Sequence, residues 1–316
     1  MAIVDNKMTY RDALKGIRTS TDDGVTWSEI RPVYTGPDPG IPSAGVLLRT
    51  RRNVVVLMYV DHSTFNWGWD DARGEPHDDA RTDVWSVRSL DDGEIWVNRH
   101  GIMEGYCGAP INMIETQRGP IVVPVQILLL APGRHGQATL ASPDQGKTWE
   151  RSNIIDLGGS GHHDGAFEST IAELGDRCLW MLIRTNWDRY WEAFSVDEGL
   201  SWRVYNPSEI DASSSPGYLL RLASGRLVLV WNRLYAEGRE NSPRRIGQLS
   251  GVGAWWQREE LSLALSDDDG KSWITTAAIA VGEGLAYPYV LEHRAGELWV
   301  LASGLRVTLH EETFVP

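Results

Sequence analysis

Short runs rich in apolar and β-branched residues recur along the chain, separated by polar stretches that contain Gly, Asp or Ser. Runs of this length, bounded by turn residues, are typical of strands rather than helices. Residues 110–205 predict two successive units of four strands each. The predicted strands are Ile111–Glu115, Ile121–Ile127, Gln137–Ala141 and Thr148–Ser152, then Phe167–Glu173, Leu179–Arg184, Tyr190–Phe194 and Ser201–Tyr205. The pattern therefore predicts an all-β chain of repeated four-stranded units.

The third and fourth strands of a unit are joined by one octapeptide, Ser-x-Asp-x-Gly-x-(Thr/Ser)-Trp, which occurs five times. Each Asp can accept hydrogen bonds from N–H groups of its own turn, and each Gly can adopt a positive φ. Each Trp can bury a large ring between neighbouring units. Only the second copy departs from the pattern, with Ile95 at the hydroxyl position. The five copies begin at Ser20, Ser89, Ser142, Ser195 and Ser266.

This spacing of tens of residues indicates a repeat architecture, and short strands with one aromatic motif per unit are typical of β-propeller blades. The repeat runs through the 316-residue chain, and no Pro-, Gly- or Ser-rich linker divides it. Residues 1–316 are therefore expected to form a single domain.

The net charge of −13 argues against nucleic acid and anionic membrane surfaces as partners, and an acidic ligand would need a local cluster of Arg. Two Cys make no disulfide framework. The chain has neither an apolar leader near its N-terminus nor an apolar run long enough to cross a membrane. A cytoplasmic location is the expectation, while the oligomeric state stays open.

Strand direction predicts which face of the propeller carries function. Successive strands of a blade alternate in direction, so the octapeptide turns lie on one face and the connections between second and third strands lie on the other. The two long insertions, Asp61–Arg81 and Arg233–Arg258, fall in the latter connections. Loops held by a rigid scaffold commonly carry function. The substrate pocket is therefore predicted on the face of the insertions, called the pocket face below.

The octapeptide is the Asp-box, and the chain resembles the sialidase (neuraminidase) superfamily of BNR-repeat proteins over nearly its whole length. The resemblance implies a sialidase-like β-propeller with six four-stranded blades. The strand pattern alone allows five, if the chain ends share one blade. Asp-boxes also occur in proteins that are not enzymes, so they predict fold better than function.

The resemblance further implies a retaining exo-glycosidase that acts on a terminal, acidic sugar and needs no cofactor. In the superfamily a Tyr attacks the sugar, a Glu activates that Tyr, an Asp is the acid/base, and three Arg bind the sugar carboxylate. Tyr287, in Gly284-Leu285-Ala286-Tyr287, resembles the nucleophile, and Glu168 occupies the position of its base. Because free Tyr has a pKa of about 10, attack near neutral pH requires such a base. The alternative for Tyr287 is an aromatic residue that caps a strand.

Asp78 lies where the superfamily has its acid/base, with Asp79 as the alternative, although an acidic solvated loop would look the same. Arg184 and Arg258 resemble two of the three carboxylate-binding Arg, and the alternative for each is a surface ion pair.

The third Arg belongs to a Phe-Arg-Ile-Pro motif, and here Gly40 precedes Ile41 and Pro42. Gly40 therefore stands where the superfamily has Arg, which leaves the identity of the sugar open. Arg73 and Arg81, from the first insertion, are candidates to replace it.

The segment Gly158–Gly165 places His162, His163 and Asp164 on the pocket face, just before Glu168. His titrates near neutral pH, so sugar recognition or proton transfer is one interpretation. A metal site and a structural loop are the others. Several Trp on or near these loops have rings that can stack on sugars, namely Trp67, Trp69, Trp187, Trp191, Trp255 and Trp256.

Two other functions remain open. A hydrolase or lyase could act on another sugar, such as a uronic acid, through His162 or His163. A propeller of this kind could also bind glycans without catalysis.

Overall fold

The computed structural model describes residues 2–4, 16–37, 40–234 and 258–315, and nearly all of its regular elements are strands. The described strands pair antiparallel in seven sheets, four with four strands, two with three and one with two. The first sheet consists of β1 (Ala2–Val4), β2 (Gly16–Thr19) and β3 (Arg31–Pro32). The second consists of β4 (Pro42–Arg49), β5 (Val55–Asp61), β8 (Val84–Ser89) and β9 (Trp96–Met103).

The remaining sheets continue this order along the chain. The third consists of β10 (Ile114–Glu115), β11 (Ile121–Leu129), β12 (Arg134–Ser142) and β13 (Glu150–Arg151). The fourth consists of β14 (Ser169–Glu173), β15 (Leu179–Ile183), β16 (Arg189–Ser195) and β17 (Val204–Asp211). The fifth consists of β18 (Tyr218–Arg221), β19 (Leu227–Trp231), β20 (Glu260–Ser266) and β21 (Ile274–Val281). The sixth consists of β22 (Tyr289–Arg294), β23 (Glu297–Ala302) and β24 (Leu305–His310).

The prediction of an all-β propeller with four-stranded units is confirmed. The two sheets at the chain ends have three strands each and share no strand among the described residues. The last sheet contacts the first: Arg294 pairs with Asp23 at 2.5 Å, and Arg306 Nη1 donates to Gly24 O at 3.1 Å. These contacts join the two ends of the described chain without a shared blade.

Two short 3₁₀ helices (His62–Thr64 and Glu311–Phe314) and one hairpin complete the regular structure of the described residues. The hairpin pairs β6 (Trp69–Asp70) with β7 (Glu75–Pro76) and lies in the connection between β5 and β8. It belongs to the first predicted insertion. Most of the second insertion, including Trp255 and Trp256, lies outside the described residues.

The five octapeptides share two hydrogen bonds from backbone N–H groups. In the first, Ser20 Oγ accepts from Gly24 N at 2.8 Å, and Asp22 Oδ1 accepts from Thr26 N at 2.9 Å. The Thr26 hydroxyl also donates to Asp22 Oδ2 at 2.6 Å, and these bonds lower the pKa of Asp22 to about 2. Equivalent backbone bonds occur in the other four turns. The repeated residues thus close the turns as predicted.

The octapeptides also explain why the predicted starts of two strands were wrong. The predicted strands Thr148–Ser152 and Ser201–Tyr205 begin later, with β13 at Glu150 and β17 at Val204, because the turn bonds hold the preceding residues out of the ladder. The Trp of the turn instead enters the space between sheets. Trp202 is buried among residues of the third and fourth sheets, and its Nε1 donates to Thr139 Oγ1 at 2.8 Å.

Ile95 tests the contribution of the hydroxyl position. In the other four turns, a Thr or Ser hydroxyl donates a hydrogen bond to the turn Asp. The side chain of Ile95 has no such donor, and it is 64% exposed. We expect Ile95→Thr to raise the melting temperature by about 1–2 °C, because it adds one bond to Asp91 and removes an exposed apolar group. Leu90→Thr, equally exposed in the same turn, is the matched control and should give no rise. Equal effects of the two substitutions in a thermal unfolding series would contradict the role of the hydroxyl.

Candidate active site

Tyr287 and Glu168 are in direct contact, although 119 positions separate them in the chain. The Tyr287 hydroxyl donates a hydrogen bond to Glu168 Oε1 at 2.9 Å. Arg184 contacts both: its Nη1 donates to Glu168 Oε2 at 2.6 Å and to the Tyr287 hydroxyl at 3.2 Å. The structure therefore brings together three predicted site residues, called the Tyr–Glu–Arg cluster below.

Backbone pairing places Glu168 and Arg184 opposite each other. Phe167 N–H donates to Arg184 O at 2.8 Å, and Arg184 N–H donates to Glu168 O at 3.4 Å, which extends the β14–β15 ladder past the strand ends. Glu168 and Arg184 are 9% and 5% exposed. A buried carboxylate and a buried guanidinium compensate each other, whereas either one alone would be strongly destabilising.

Tyr287 lies in the turn that precedes β22, outside the strand itself. Its φ of 53° is in the left-handed region, which interrupts strand geometry and is uncommon for residues other than Gly. The preceding Leu285 and Ala286 are buried and anchor the turn, whereas Tyr287 is 39% exposed. Part of the Tyr287 side chain is therefore accessible from outside the protein. Backbone strain of this kind is concentrated at functional sites.

The surroundings of the Tyr287 hydroxyl keep it protonated at neutral pH. Burial raises the pKa of Tyr287, the Glu168 carboxylate raises it further, and Arg184 and Arg258 oppose the rise. A phenol in this state becomes a nucleophile only when a base takes its proton. Glu168 Oε1 is close enough to take that proton directly.

Arg258 joins the cluster through the Tyr287 ring and through Ser214. Its guanidinium carbon lies 5.5 Å from the centre of the Tyr287 ring, and its Nη2 donates to Ser214 O at 3.4 Å. Arg184 donates to the Ser214 hydroxyl from Nε and Nη2, each at 3.3 Å. Burial and the charge of Arg184 lower the pKa of Arg258. Sequence reasoning missed Ser214. The signal in the sequence was a run of three Ser, 213–215, which the structure buries between β17 and β18.

The role of Asp78 as the acid/base remains a prediction. It is exposed on the insertion between β5 and β8, and its neighbour Asp79 accepts a hydrogen bond from Asn66 at 2.8 Å. The two Arg proposed as replacements for the missing one are both paired with acids two positions further along the chain. Arg73 binds Glu75 at 2.5 Å, and Arg81 binds Asp83.

Gly40 is constrained by a buried ion pair that sequence reasoning missed. Arg99 Nη2 lies 2.6 Å from Asp61 Oδ2, and the two side chains are 3% and 1% exposed. Gly40 has a φ of 65°, and a Cβ at this position would overlap both Asp61 Oδ2 and Arg99 Nη2. Gly is therefore required at position 40 by backbone conformation and by space. The volume next to Gly40 is filled by the Arg99–Asp61 pair.

The predicted His–His–Asp segment divides into a buried part and an accessible part. Asp164 is fully buried and accepts bonds from Ser160 N, Gly165 N and Trp187 Nε1, each at 3.0 Å. These bonds engage the Asp164 carboxylate with N–H groups of its own loop and with the Trp187 indole. Substrate binding by Asp164 stays a prediction.

His162 and His163 are half-buried, with ring centres 4.0 Å apart. Burial, the neighbouring His162 and Arg184 lower the pKa of His163 to about 4, so its imidazole is neutral at neutral pH. Among the described residues, no group of three His, Cys, Asp or Glu is arranged to hold a metal ion. The same residues include no helix that is long and apolar enough to cross a membrane.

His135, a further residue that sequence reasoning missed, lies beneath this loop. It is 3% exposed, its Nδ1 is 2.7 Å from Gln126 Nε2, and its Nε2 is 3.1 Å from His162 O. One ring nitrogen therefore accepts and the other donates, as in a neutral imidazole. Burial lowers the pKa of His135 to about 4.

Stability should therefore depend on pH through His135. Its folded pKa is below the unfolded value near 6.5, so the unfolded chain binds the extra proton between pH 6.5 and 4, and stability falls as pH falls through this window. The loss attributable to His135 is about 3 kcal/mol. We expect urea unfolding of His135→Gln to show a shallower dependence on pH across this window. The exposed His310→Gln is the control, and an unchanged pH dependence in His135→Gln would contradict the assignment.

The sequence model of the BNR repeat-like domain matches residues 16–300. None of the curated protein sequences matches the chain significantly. Several solved structures share its fold. The Hadza microbial sialidase Hz136 is 15% identical with a TM-score of 0.67, and the match covers 95% of this chain and 60% of that one.

Two further structures match a larger share of their own chains. The intramolecular trans-sialidase from Ruminococcus gnavus, solved with oseltamivir carboxylate, is 13% identical with a TM-score of 0.63, covering 95% of this chain and 88% of that one. The α-L-arabinanase from Penicillium chrysogenum, solved with arabinobiose, is 12% identical with a TM-score of 0.58, covering 95% and 86%. At these identities, the similarity shows a common fold.

Proposed function

Since this chain belongs to the BNR repeat-like family, we propose that it is a retaining exo-glycosidase in which Tyr287 is the nucleophile. The observation that carries the proposal is the 2.9 Å hydrogen bond from the Tyr287 hydroxyl to Glu168. The sialidases and the arabinanase that share the fold act on sugars, which supports a carbohydrate substrate.

In the first step, Tyr287 Oη attacks the anomeric carbon of the terminal sugar as the glycosidic C–O bond breaks. Glu168 takes the phenolic proton, and Asp78 donates a proton to the leaving oxygen. In the second step, Asp78 removes a proton from water, which attacks the same carbon. Tyr287 leaves and recovers its proton from Glu168. Two displacements on one carbon retain its configuration.

Arg184 and Arg258 bind the transferred sugar, whose acidic or hydroxyl-rich groups accept hydrogen bonds from guanidinium. Arg184 has a second role, because its contact with both Glu168 and Tyr287 favours the phenolate that forms as the proton leaves. No cofactor takes part in this scheme.

The test is a panel of 4-nitrophenyl glycosides of N-acetylneuraminic acid, glucuronic acid, L-arabinose and L-rhamnose. We expect turnover of at least one member, with retention of the anomeric configuration in the first-formed product by proton NMR. Inversion would contradict Tyr287 as nucleophile. Binding on a glycan array without turnover of any glycoside would instead support a glycan-binding propeller.

A second candidate function is a lyase that acts on a uronic acid through His163. The His163 imidazole favours it, because its low pKa keeps it in the neutral form, which is the form that can act as a base. His163 would take the proton α to the carboxylate, the C–O bond at the β carbon would break, and a C=C bond would form, while the departing oxygen receives that proton from the His163 imidazolium. An unsaturated product that absorbs in the near ultraviolet would identify this reaction.

A further inference from the structure

Trp67, Trp69 and His162 form an aromatic cluster on the pocket face, called the aromatic wall below. The ring centres of Trp67 and His162 are 5.1 Å apart, those of Trp69 and His162 are 5.5 Å apart, and those of the two Trp are 6.5 Å apart. All three residues are half-buried, and none belongs to the five apolar cores of the described residues. Large rings left partly exposed outside a core are typical of binding surfaces.

The aromatic wall is held in place by the loops on both sides. Gly133, in the turn between β11 and β12, has no Cβ, and one would lie 2.6 Å from the Trp69 ring. On the other side, the Asp164 hydrogen bonds to Ser160, Gly165 and Trp187 fix the loop that carries His162. The three rings therefore present a fixed surface, which lowers the entropy cost of binding.

Two paths, one electrostatic and one of ring contacts, connect the aromatic wall to the Tyr–Glu–Arg cluster. His162 contacts His163, whose pKa responds to the charges of Arg184 and Glu168. On the other path, the Arg184 guanidinium lies 5.0 Å from the Phe167 ring centre, Phe167 lies 4.9 Å from His135, and His135 lies 6.5 Å from Trp67. On the second path, two side chains, His135 and Phe167, lie between the aromatic wall and Arg184.

We propose that the aromatic wall is the subsite for the leaving-group sugar, so that the enzyme acts on oligosaccharides rather than on any glycoside with the right terminal sugar. This inference rests on the proposed function. An acid that protonates the leaving oxygen must contact it, and the insertion that supplies Asp78 also supplies Trp67 and Trp69. The sugar beyond that oxygen consequently lies against the insertion, where the ring faces stack on its C–H groups.

The test uses the panel sugar that is cleaved fastest and compares two substrates that carry it as the terminal sugar. One is the glycosyl fluoride, which has no leaving-group sugar, and the other is a disaccharide. In Trp69→Ala, we expect the ratio of kcat/KM for the disaccharide to that for the fluoride to fall about tenfold. His162→Ala, on a different loop, should lower the same ratio. Trp69→Phe should recover most of it, because an aromatic ring is restored.

Phe65→Ala is the matched control, since Phe65 is an exposed aromatic residue of the same insertion outside the wall. It should leave the ratio unchanged. A tryptophan fluorescence titration with disaccharides of the panel sugars measures binding independently of cleavage, and Trp69→Ala should weaken it. Failure of the native chain to cleave any panel sugar contradicts the proposed function. An unchanged ratio and an unchanged titration in both Trp69→Ala and His162→Ala would overturn the aromatic wall as a subsite.

Discussion

Glu168→Gln should lower kcat/KM by about a thousandfold on the best panel substrate, and Tyr287→Phe should lower it at least as far. The amide of Gln cannot take the phenolic proton, and general-base catalysis of this kind contributes about 10²–10⁴-fold. Phe has no nucleophilic oxygen. The measurement is steady-state kinetics on both variants, with circular dichroism to verify that each is folded.

Two surface substitutions of the same chemistry are the controls. Glu209→Gln and Tyr205→Phe lie on β17, where both residues are exposed, and should keep native kinetics. The double variant Tyr287→Phe/Glu168→Gln should be little worse than either single variant, because the two residues act as a unit. Turnover at the native rate in either single variant would contradict this mechanism.

Gly40→Arg, which restores the residue that the superfamily has at this place, should destabilise the protein by about 3–5 kcal/mol rather than improve binding of an acidic sugar. Any side chain at position 40 overlaps Asp61 and Arg99, so the buried pair must separate. A separated buried ion pair leaves its charges uncompensated, which costs about this much. The positive φ at Gly40 adds strain for any other residue.

Gly74→Ala is the control that measures the cost of backbone strain without steric overlap. Gly74 has a nearly identical φ of 66°, but a Cβ there would meet no atom within 4 Å. It should therefore cost only about 1–2 kcal/mol, the penalty for a left-handed residue. Urea unfolding of both variants measures the difference. Equal losses would show that the Arg99–Asp61 pair does not constrain position 40.

Local features of the fold were predictable because their bonds close within a few residues. The octapeptide Asp residues bind N–H groups of their own turns, so their role could be inferred without knowing the fold. Strand alternation then predicted that the first insertion and the His162 loop share one face, and the contacts of Trp67 and Trp69 with His162 confirm this.

The partners of charged residues could not be predicted, because packing between distant segments selects them. Arg184 was expected to face a sugar, but its closest acidic group is Glu168. Arg99 gave no signal in the sequence because its partner, Asp61, lies two strands away within the second sheet. Asp164 shows the same limit, because its position in the sequence did not predict that Trp187 would donate a hydrogen bond to it.

The central claim is that Tyr287 forms a covalent bond to the sugar, and trapping that bond tests it most directly. A 2-fluoro or 3-fluoro glycosyl fluoride of the best panel sugar slows the second step, so the intermediate accumulates. Mass spectrometry of the digested protein should locate the added sugar on the peptide that contains Tyr287, with no adduct in Tyr287→Phe. An adduct on Glu168 or on another side chain would contradict Tyr287 as the nucleophile.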